Sequence, residues 1–312
     1  MILDILVPCF NEEEMLDVTA ATLLAKLDQL VQEGRIGRAS SLLFVDDRSH
    51  DASWRLIKEI AQRAAPGRVH GIRLSQNKGH QNAVLAGLHV STADAVISID
   101  ADLQDDTNAI DQMIAAHQAG ADIVFGVHSS REDDTWFKRT TAQAYYRLLR
   151  LCGVRIVFNH ADFRLLDRRA IDALKTYSEV NLFLRGLVTE LGFKTAVVEY
   201  RRTRRIAGQS KYPLMRMLAL AWDGLSSYTT APIRWITLTG LLVGLGTFAC
   251  GAWVFWVTEI KRIAVPGWAS TVLPIYFLGG VQLIAIGIIG EYLAKIYLET
   301  KRRPRYFIDE HF

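Results

Sequence analysis

Residues 95–105 decide the fold, and they read Ala95-Val96-Ile97-Ser98-Ile99-Asp100-Ala101-Asp102-Leu103-Gln104-Asp105. A short apolar, β-branched run that leads directly into acids is typical of a buried strand ending at a functional edge. In extended backbone, Asp100 and Asp102 leave the chain on the same face. Two such carboxylates repel unless a cation lies between them, and hard oxygen ligands suit Mg²⁺ or Mn²⁺ shared with substrate phosphates. We therefore predict a metal site at Asp100 and Asp102 and a nucleoside diphosphate as its ligand.

The same pattern, a β-rich run followed by polar residues, recurs on both sides of this stretch. Helical stretches such as Leu16–Val31 separate the runs. The alternation predicts an α/β fold, Rossmann-like, with a mainly parallel sheet covered by helices on both faces. The predicted strands are Ile2–Val7, Leu42–Val45, Val69–Leu74, Ala95–Ile99 and Asp122–Val127.

Ligands of such sheets bind beyond the carboxyl ends of the strands. Three further polar clusters stand at those positions, in residues 8–13, 46–49 and 77–80. Turns and helix caps use the same residue types, so one cluster alone is a weak signal, whereas four together indicate one site. The sequence has no P-loop motif and no glycine-rich dinucleotide motif after the first strand, which disfavours an ATPase or a dehydrogenase.

Composition limits the class of protein further. The chain has 312 residues, 50% hydrophobic and 22% charged, with a net charge of +3, which excludes a disordered protein. Its three cysteines, Cys9, Cys152 and Cys250, are too far apart for a zinc ligand set or a disulfide framework. We expect a reduced, cytosol-facing compartment.

The C-terminal third contains two runs without charge, from Trp235 to Val257 and from Ala269 to Gly290. Each is long enough to cross a bilayer core of about 30 Å, so we predict two transmembrane helices within 233–295; a pair of buried core helices is the alternative. Cations on the outer flanks outnumber those in the connecting loop, which predicts cytoplasmic termini and a multi-pass protein of the inner membrane. The flanking cations are Arg216, Arg234, Lys295, Lys301, Arg302, Arg303 and Arg305, against Lys261 and Arg262 in the loop.

The predicted domain order is a domain at 1–210, an amphipathic interface helix region at 211–232, the spans, and a basic cytoplasmic tail at 296–312. Apolar residues recur at helical spacing before the first span, which is typical of a helix on the membrane surface; a packed helix of the soluble domain is the alternative. The stretch 201–216 carries cations and no acid. A lipid phosphate or an anionic lipid surface fits it better than nucleic acid, because the run leads into the membrane.

Six motifs together resemble the GT-A fold, family 2 glycosyltransferases. Four are the clusters above, and two narrow the match to the polyprenyl-phosphate glycosyltransferases, which include dolichol-phosphate mannose synthase and the bactoprenol glucosyltransferases with two C-terminal spans. These two are Asp162-Phe163-Arg164-Leu165-Leu166 and Arg205-Ile206-Ala207-Gly208-Gln209-Ser210-Lys211-Tyr212.

The resemblance implies an inverting enzyme that moves a hexose from a nucleotide sugar to a polyprenyl phosphate at the cytoplasmic face of the membrane. Glucose from UDP-glucose onto undecaprenyl phosphate is the expected reaction, with a surface glycan such as O antigen as the final target. GDP-mannose, UDP-GlcNAc and a UDP-aminoarabinose donor stay open, as do a non-catalytic nucleotide-sugar sensor and the oligomeric state, a homo-oligomer included. A processive polysaccharide synthase is disfavoured because the Gln-x-x-Arg-Trp motif is absent.

The resemblance also implies roles for individual residues. Catalytic roles fall to Asp162, Asp102 and Arg139, and the metal to Asp100 and Asp102. Because a lipid phosphate is already an oxyanion, Asp162 is expected to orient the acceptor or stabilise positive charge rather than act as a strong base. His128 stands where relatives commonly have arginine, so Arg131 is expected to take that role. The nucleotide sugar would contact Pro8, Asn11, Glu12, Asp46, Asp47, Asn77, Asp100 and Gln104, and the acceptor or diphosphate would contact Arg131, Arg205, Ser210 and Lys211.

Overall fold

A computed structural model describes residues 1–128, 160–180, 184–200, 231–256 and 267–312. The chain divides into two units, Met1–Arg216 with Arg302–Phe312, and Met217–Lys301. The predicted interface helix at 211–232 lies almost entirely outside the described residues.

The first unit is an α/β domain. Its strands are β1 (Leu3–Cys9), β2 (Ser41–Asp46), β3 (Val69–Leu74), β4 (Ala95–Ser98), β5 (Ile123–His128), β6 (His160–Asp167), β7 (Thr195–Tyr200) and β8 (Ile308–His311). Its helices are α1 (Leu16–Gln32), α2 (Ser53–Arg63), α3 (His80–Val90), α4 (Ala109–Gln118), α5 (Arg168–Lys175) and α6 (Leu184–Glu190).

The eight strands form one sheet in the order β7-β5-β6-β4-β1-β2-β3-β8. Strands β4, β1, β2 and β3 run parallel, as do β5 and β7. Strand β6 is antiparallel to both of its neighbours, and β8 is antiparallel to β3. The prediction of an α/β fold with a mainly parallel sheet is confirmed, and all five predicted strands are present. Strands β6, β7 and β8 were not predicted.

Helices cover both faces of the sheet because side chains of the buried strands alternate between them. Along β1, Leu3, Ile5 and Val7 pack with residues of α1, α2 and α4. Leu6 points to the opposite face and packs with residues of α3, α5 and α6. Both clusters consist of residues that are almost completely buried, so the apolar strand runs read from the sequence are the core of this domain.

Helix α3 approaches the sheet closely at Gly87. A Cβ atom there would lie 2.1 Å from Leu6 Cδ1 and 2.9 Å from Val45 Cγ2, and both of those side chains are buried. We expect Gly87→Ala to lower the free energy of unfolding by about 1–3 kcal/mol, because the core has no space for an added methyl group. Urea unfolding measures this. Gly37→Ala, whose Cβ would have its nearest neighbour at 3.5 Å, should change stability by much less; equal stability of the two variants would contradict the packing.

Residues 302–312 return to the α/β domain. Arg305 donates hydrogen bonds to the backbone oxygens of Glu179 (2.5 Å) and Tyr177 (2.7 Å), and β8 then pairs with β3. The sequence predicted a basic tail over 296–312. Instead, residues up to 301 belong to a helix, and 308–311 complete the sheet. This strand was not predicted, because β8 is short, mostly exposed and rich in charge.

The tail is also tied to α3 through His89. Its Nδ1 lies 2.7 Å from the Tyr306 hydroxyl, and its Nε2 is buried without a hydrogen-bond partner in the described part of the chain. Burial, with the positive charges of Lys175 and Arg305, lowers the pKa of His89 from 6.5 to about 4. The folded protein therefore keeps this imidazole neutral, and its Nδ1 shares a hydrogen bond with the Tyr306 hydroxyl.

This histidine predicts a pH dependence of stability. The unfolded chain takes up a proton near pH 6.5, whereas the folded chain resists it down to about pH 4. Stability is therefore present above that window and is lost as the pH falls through it. We expect the melting temperature to fall more steeply with decreasing pH in the wild type than in His89→Asn. Melting curves across the window test this, and parallel slopes would refute it.

The second unit contains α7 (Ala231–Phe255) and α8 (Trp268–Lys301). Within the described residues, one helical stretch, Phe277–Lys301, is long and apolar enough to cross a membrane, and Pro232–Gly246 is a shorter apolar stretch. Large apolar side chains on both helices are exposed, for example Leu242 at 61% and Leu283 at 71%. One of the two predicted spans thus has a candidate helix, and the second stays a prediction.

Candidate functional site

The carboxyl ends of β1, β2, β3 and β4 meet at one edge of the sheet, because these strands are parallel neighbours. The loops after β1 and β2 are bonded together there. Asn11, with a left-handed φ of 56°, donates its backbone N–H to Ser49 Oγ (2.9 Å) and accepts the N–H of His50 on its Oδ1 (2.9 Å). The Glu13 carboxylate accepts the N–H of Ala52 (2.9 Å). The predicted site residue Asn11 therefore shapes these loops.

Asp47 organises the turn after β3. Its two carboxylate oxygens accept the backbone N–H groups of Lys78 (2.7 Å) and Gly79 (2.8 Å). Gly79 has a φ of 84°, a conformation open to glycine at no cost. Burial raises the pKa of Asp47 despite these hydrogen bonds. Asn77, also predicted for this site, is exposed in the same turn.

Asp46 is completely buried at the end of β2. Its carboxylate accepts the N–H of Ser49 (3.2 Å) and lies 3.3 Å from Arg73 Nε, while burial raises its pKa. Pro8 is buried in β1 beyond the last residue that pairs with β4, where its missing N–H costs no ladder bond. Glu12 starts the turn into α1, and its N–H donates to Ser53 Oγ (2.9 Å). These predicted residues thus line one corner.

The acid pair lies beside this corner. Asp100 and Asp102 follow β4, and Asp102 Oδ1 accepts the N–H of Gln104 (3.2 Å) across a turn in which Leu103 has a φ of 50°. Asp100 has a side chain 40% exposed, so it can reach a ligand, whereas Gln104 is buried. The oxygen donors suit a hard divalent cation. No group of three or more potential ligand residues occurs in the described ranges.

Asp162 meets the acid pair across the β4–β6 ladder. In that antiparallel register Ser98 stands opposite Arg164, so two residues further along Asp100 faces Asp162. Ser98 Oγ donates to the Asp162 backbone oxygen (2.5 Å) and fixes the strand end. His80, the first residue of α3, bridges the two acids, with Nε2 3.3 Å from Asp162 Oδ2 and 3.8 Å from Asp100 Oδ1. The structure therefore brings the predicted Asp162 and Asp100 together through His80, with Asp102 in the turn that follows Asp100.

Two arginines complete a cage around Asp162. Arg164 Nη2 donates to its Oδ1 (2.8 Å), and Arg185 Nη2 donates to its Oδ2 (2.9 Å). Burial alone would raise the pKa of Asp162, but His80, Arg185 and Arg164 hold it well below the usual range. For His80, burial favours the neutral form, but Asp162 and Asp100 outweigh it and raise the pKa of His80. Asp162 is thus a carboxylate that favours the ionised form and has both oxygens engaged.

Comparison with known proteins agrees with this geometry. The model of glycosyl transferase family 2 matches residues 4–175, which contain all of the strands and loops just described except β7 and β8. The chain belongs to glycosyl transferase family 2. It is therefore a glycosyltransferase, and the resemblance read from its motifs is confirmed.

Full-length relatives of the transferase are known. It is 47% identical to an uncharacterized glycosyltransferase of Bacillus subtilis (strain 168), over 99% of this chain and 91% of that one. It is 40% identical to the bactoprenol glucosyl transferase of Shigella phage SfX, over 99% of both chains. Among solved structures, a glucosyl-3-phosphoglycerate synthase from Mycobacterium tuberculosis in complex with Mn²⁺, UDP-glucose and phosphoglyceric acid matches 72% of this chain and 77% of that one, with a TM-score of 0.47 and 13% identity.

Some predicted site residues of the transferase cannot be placed. Arg131, Arg139, Arg205, Ser210 and Lys211 lie outside the described residues, and their roles stay predictions. His128 is the last residue of β5.

The basic side chains around Asp162 were not predicted from the sequence. His80 stands in one of the polar clusters, residues 77–80, but no role was predicted for it. Arg164 carried a signal, because it lies two residues from Asp162 on the same face of a strand. Arg185 had no local signal, since it arrives from α6 through tertiary packing.

Proposed function

We propose that this transferase moves a single hexose from a nucleotide sugar onto a polyprenyl phosphate, with UDP-glucose as donor, undecaprenyl phosphate as acceptor and inversion at the anomeric carbon. The observation that carries the proposal is the meeting of Asp100 and Asp162 across the β4–β6 ladder, next to the loops of β1 and β2. A donor diphosphate at the acid pair would place its sugar beside the Asp162 cage. The names of the full-length relatives support the glucose donor and the lipid acceptor.

The donor half of the site would be built from buried acids and backbone. Asp46 and Asp47 hold the loops after β2 and β3 in place, and these loops would receive the base and ribose. Asp100 and Asp102 would hold Mg²⁺ or Mn²⁺. When bound, the metal neutralises charge on the diphosphate leaving group.

The acceptor needs no strong base, because a lipid phosphate has a second pKa near 6 and is largely an oxyanion at neutral pH. Its oxygen would attack the anomeric carbon as the bond to the nucleoside diphosphate breaks, so the electron pair leaves with the diphosphate and the configuration inverts. Asp162 stays ionised and would stabilise the positive charge that develops on the sugar ring. Arg185, whose side chain is 41% exposed, would hold the acceptor phosphate.

A transferase that uses a lipid acceptor would have to work at the membrane. Exposure of the apolar side chains of α7 and α8 to water would be energetically unfavourable, whereas contact with lipid would be favourable. Helix α7 has 25 residues, about 37 Å at 1.5 Å per residue, so we propose both helices as spans. The cation bias of the flanks supports a domain that faces the cytoplasm of the inner membrane.

The test is transfer of radiolabel from a panel of UDP- and GDP-sugars into the organic phase, with undecaprenyl phosphate and a divalent metal. We expect lipid label from UDP-glucose. Label from a different donor would change the sugar and keep the reaction. No lipid label from any donor would overturn the proposal.

A further inference from the structure

The C-terminal strap, residues 305–312, covers the β3 edge of the sheet next to the proposed nucleotide corner. Strand β8 pairs Arg73 with Glu310 and Ile72 with His311. The Phe312 ring packs against Trp54 at 5.6 Å between ring centroids. A Cβ atom at Gly71 would lie 2.6 Å from this ring, so a larger residue in β3 beneath it would displace the ring. The strap is therefore fitted to its place in the domain.

Two adjacent acids of the strap face cations that flank the corner. Asp309 Oδ2 lies 2.5 Å from Arg48 Nη1. Glu310 forms an ion pair with Lys58, and its Oε1 lies 3.7 Å from Arg73 Nη1. All of these side chains except Arg73 are between 38% and 44% exposed, so the pairs lie at the surface and can be altered without opening the core.

Both arginines connect the strap to the acids of the corner. Arg73 stands between Glu310 and the buried Asp46, with its Nε 3.3 Å from Asp46 Oδ2. Arg48 directly follows Asp47 and has a φ of 61°, which is strained for a residue with a Cβ atom and persists only where the surroundings hold it.

The loop that contains Arg48 is hydrogen-bonded to the loop after β1. Its Ser49 accepts the N–H of Asn11, and its His50 donates to the Asn11 side chain. Asp309 is thus connected to the loop after β1 in two steps: it bonds to Arg48, and the neighbouring Ser49 and His50 bond to Asn11.

We propose that Asp309 and Glu310 are positioning residues for nucleotide binding, acting through Arg48 and Arg73. The inference rests on the proposed function, because it takes the loops after β1 and β2 as the nucleotide corner. With both acids neutral, Arg48 would lose its outer partner and the loop its anchor, and Arg73 would lose one of its two acids. The nucleotide would then bind a less ordered corner, whereas the Asp162 cage, which shares no residue with these pairs, would be unchanged.

The test compares the full-length wild type with the double variant Asp309→Asn/Glu310→Gln in detergent. We expect the dissociation constant for UDP, measured by calorimetry, and the KM for the nucleotide sugar to rise by about 3- to 10-fold, the size expected for losing partly exposed ion pairs. The kcat and the melting temperature should stay close to wild type. Asp309→Glu/Glu310→Asp should restore most of the affinity.

The control is Asp17→Asn, which removes a more exposed ion pair to Arg63 elsewhere on the domain and should leave KM unchanged. An unchanged UDP affinity in the double variant would overturn the inference. A matching fall in kcat and melting temperature would reduce the strap to a structural brace, which also overturns it. Weaker UDP binding in a protein whose wild type transfers no sugar to lipid would uphold the positioning role and reject the proposed function.

Discussion

Replacement of Asp102 by alanine should lower sugar transfer by about 10²- to 10³-fold, the size expected when a main stabiliser of transition-state charge is removed. Asp100 and Asp102 are the acids at the end of β4, and Asp102 also fixes the turn by accepting the N–H of Gln104. One carboxylate alone offers too few hard oxygen ligands to hold a divalent cation with a diphosphate. Initial rates at saturating donor measure the effect, and EDTA should reproduce it in the wild type.

The same loop supplies the control for this variant. Asp106 accepts the backbone and side-chain N–H groups of Asn108 at 2.9 Å, at the start of α4. Asp106→Ala should cost about 1 kcal/mol of stability through the lost cap-like bonds and leave transfer nearly unchanged. Equal losses in the two variants, or full activity of the wild type in EDTA, would contradict a metal at the acid pair.

Asp162→Asn should lower kcat by about 10²- to 10³-fold by removing the charge that faces the sugar. The ratio of wild-type to variant rates should be constant between about pH 6 and about pH 8.5, because an ordinary carboxyl already ionises near pH 4. The pKa of Asp162 lies well below even that value, so its charge is present throughout the range and would be lost only in stronger acid. A ratio that changes across the range would identify Asp162 as a general base instead.

The amide also leaves the buried Arg164 without its carboxylate, so this variant should lose about 3 kcal/mol or more of stability. Arg185→Gln separates the two effects. Its side chain is 41% exposed, and its loss leaves the Arg164–Asp162 pair in place. We expect it to keep the wild-type melting temperature within a few degrees and to raise the KM for the lipid acceptor. An unchanged acceptor KM would remove Arg185 from the acceptor site.

Strands buried on both faces were predictable from the sequence. Four of the five predicted strands begin or end within two residues of those in the structure, and Val69–Leu74 matches completely. The runs in β1, β2, β4 and β5 are mostly apolar and too short for a helix, which is the pattern of buried strands. Strand β6 was missed because the buried Arg164 interrupts its apolar pattern. Strand β8 was missed because it is short, mostly exposed and rich in charge, and because its partner strand β3 lies hundreds of residues earlier in the chain.

The candidate site, too, was predictable only where its residues carry a local sequence signal. Its acids stand directly after strands, so topology alone brings Asp46, Asp47 and Asp100 to one edge. The cage around Asp162 depends on the β4–β6 register and on the docking of α6, neither of which has a local signal. Its net effect, a carboxylate held ionised by three cations, could be found only in three dimensions.

In the proposed reaction, one hexose is joined directly to the phosphate of a polyprenyl lipid. Mass spectrometry of the lipid product tests this connection. After incubation of the full-length protein with UDP-glucose, undecaprenyl phosphate and Mn²⁺, we predict an extracted lipid that carries one added hexose and the single original phosphate, absent with Asp102→Ala. A product with two phosphates, a chain of several sugars, or a lipid with no added hexose would contradict the proposed reaction.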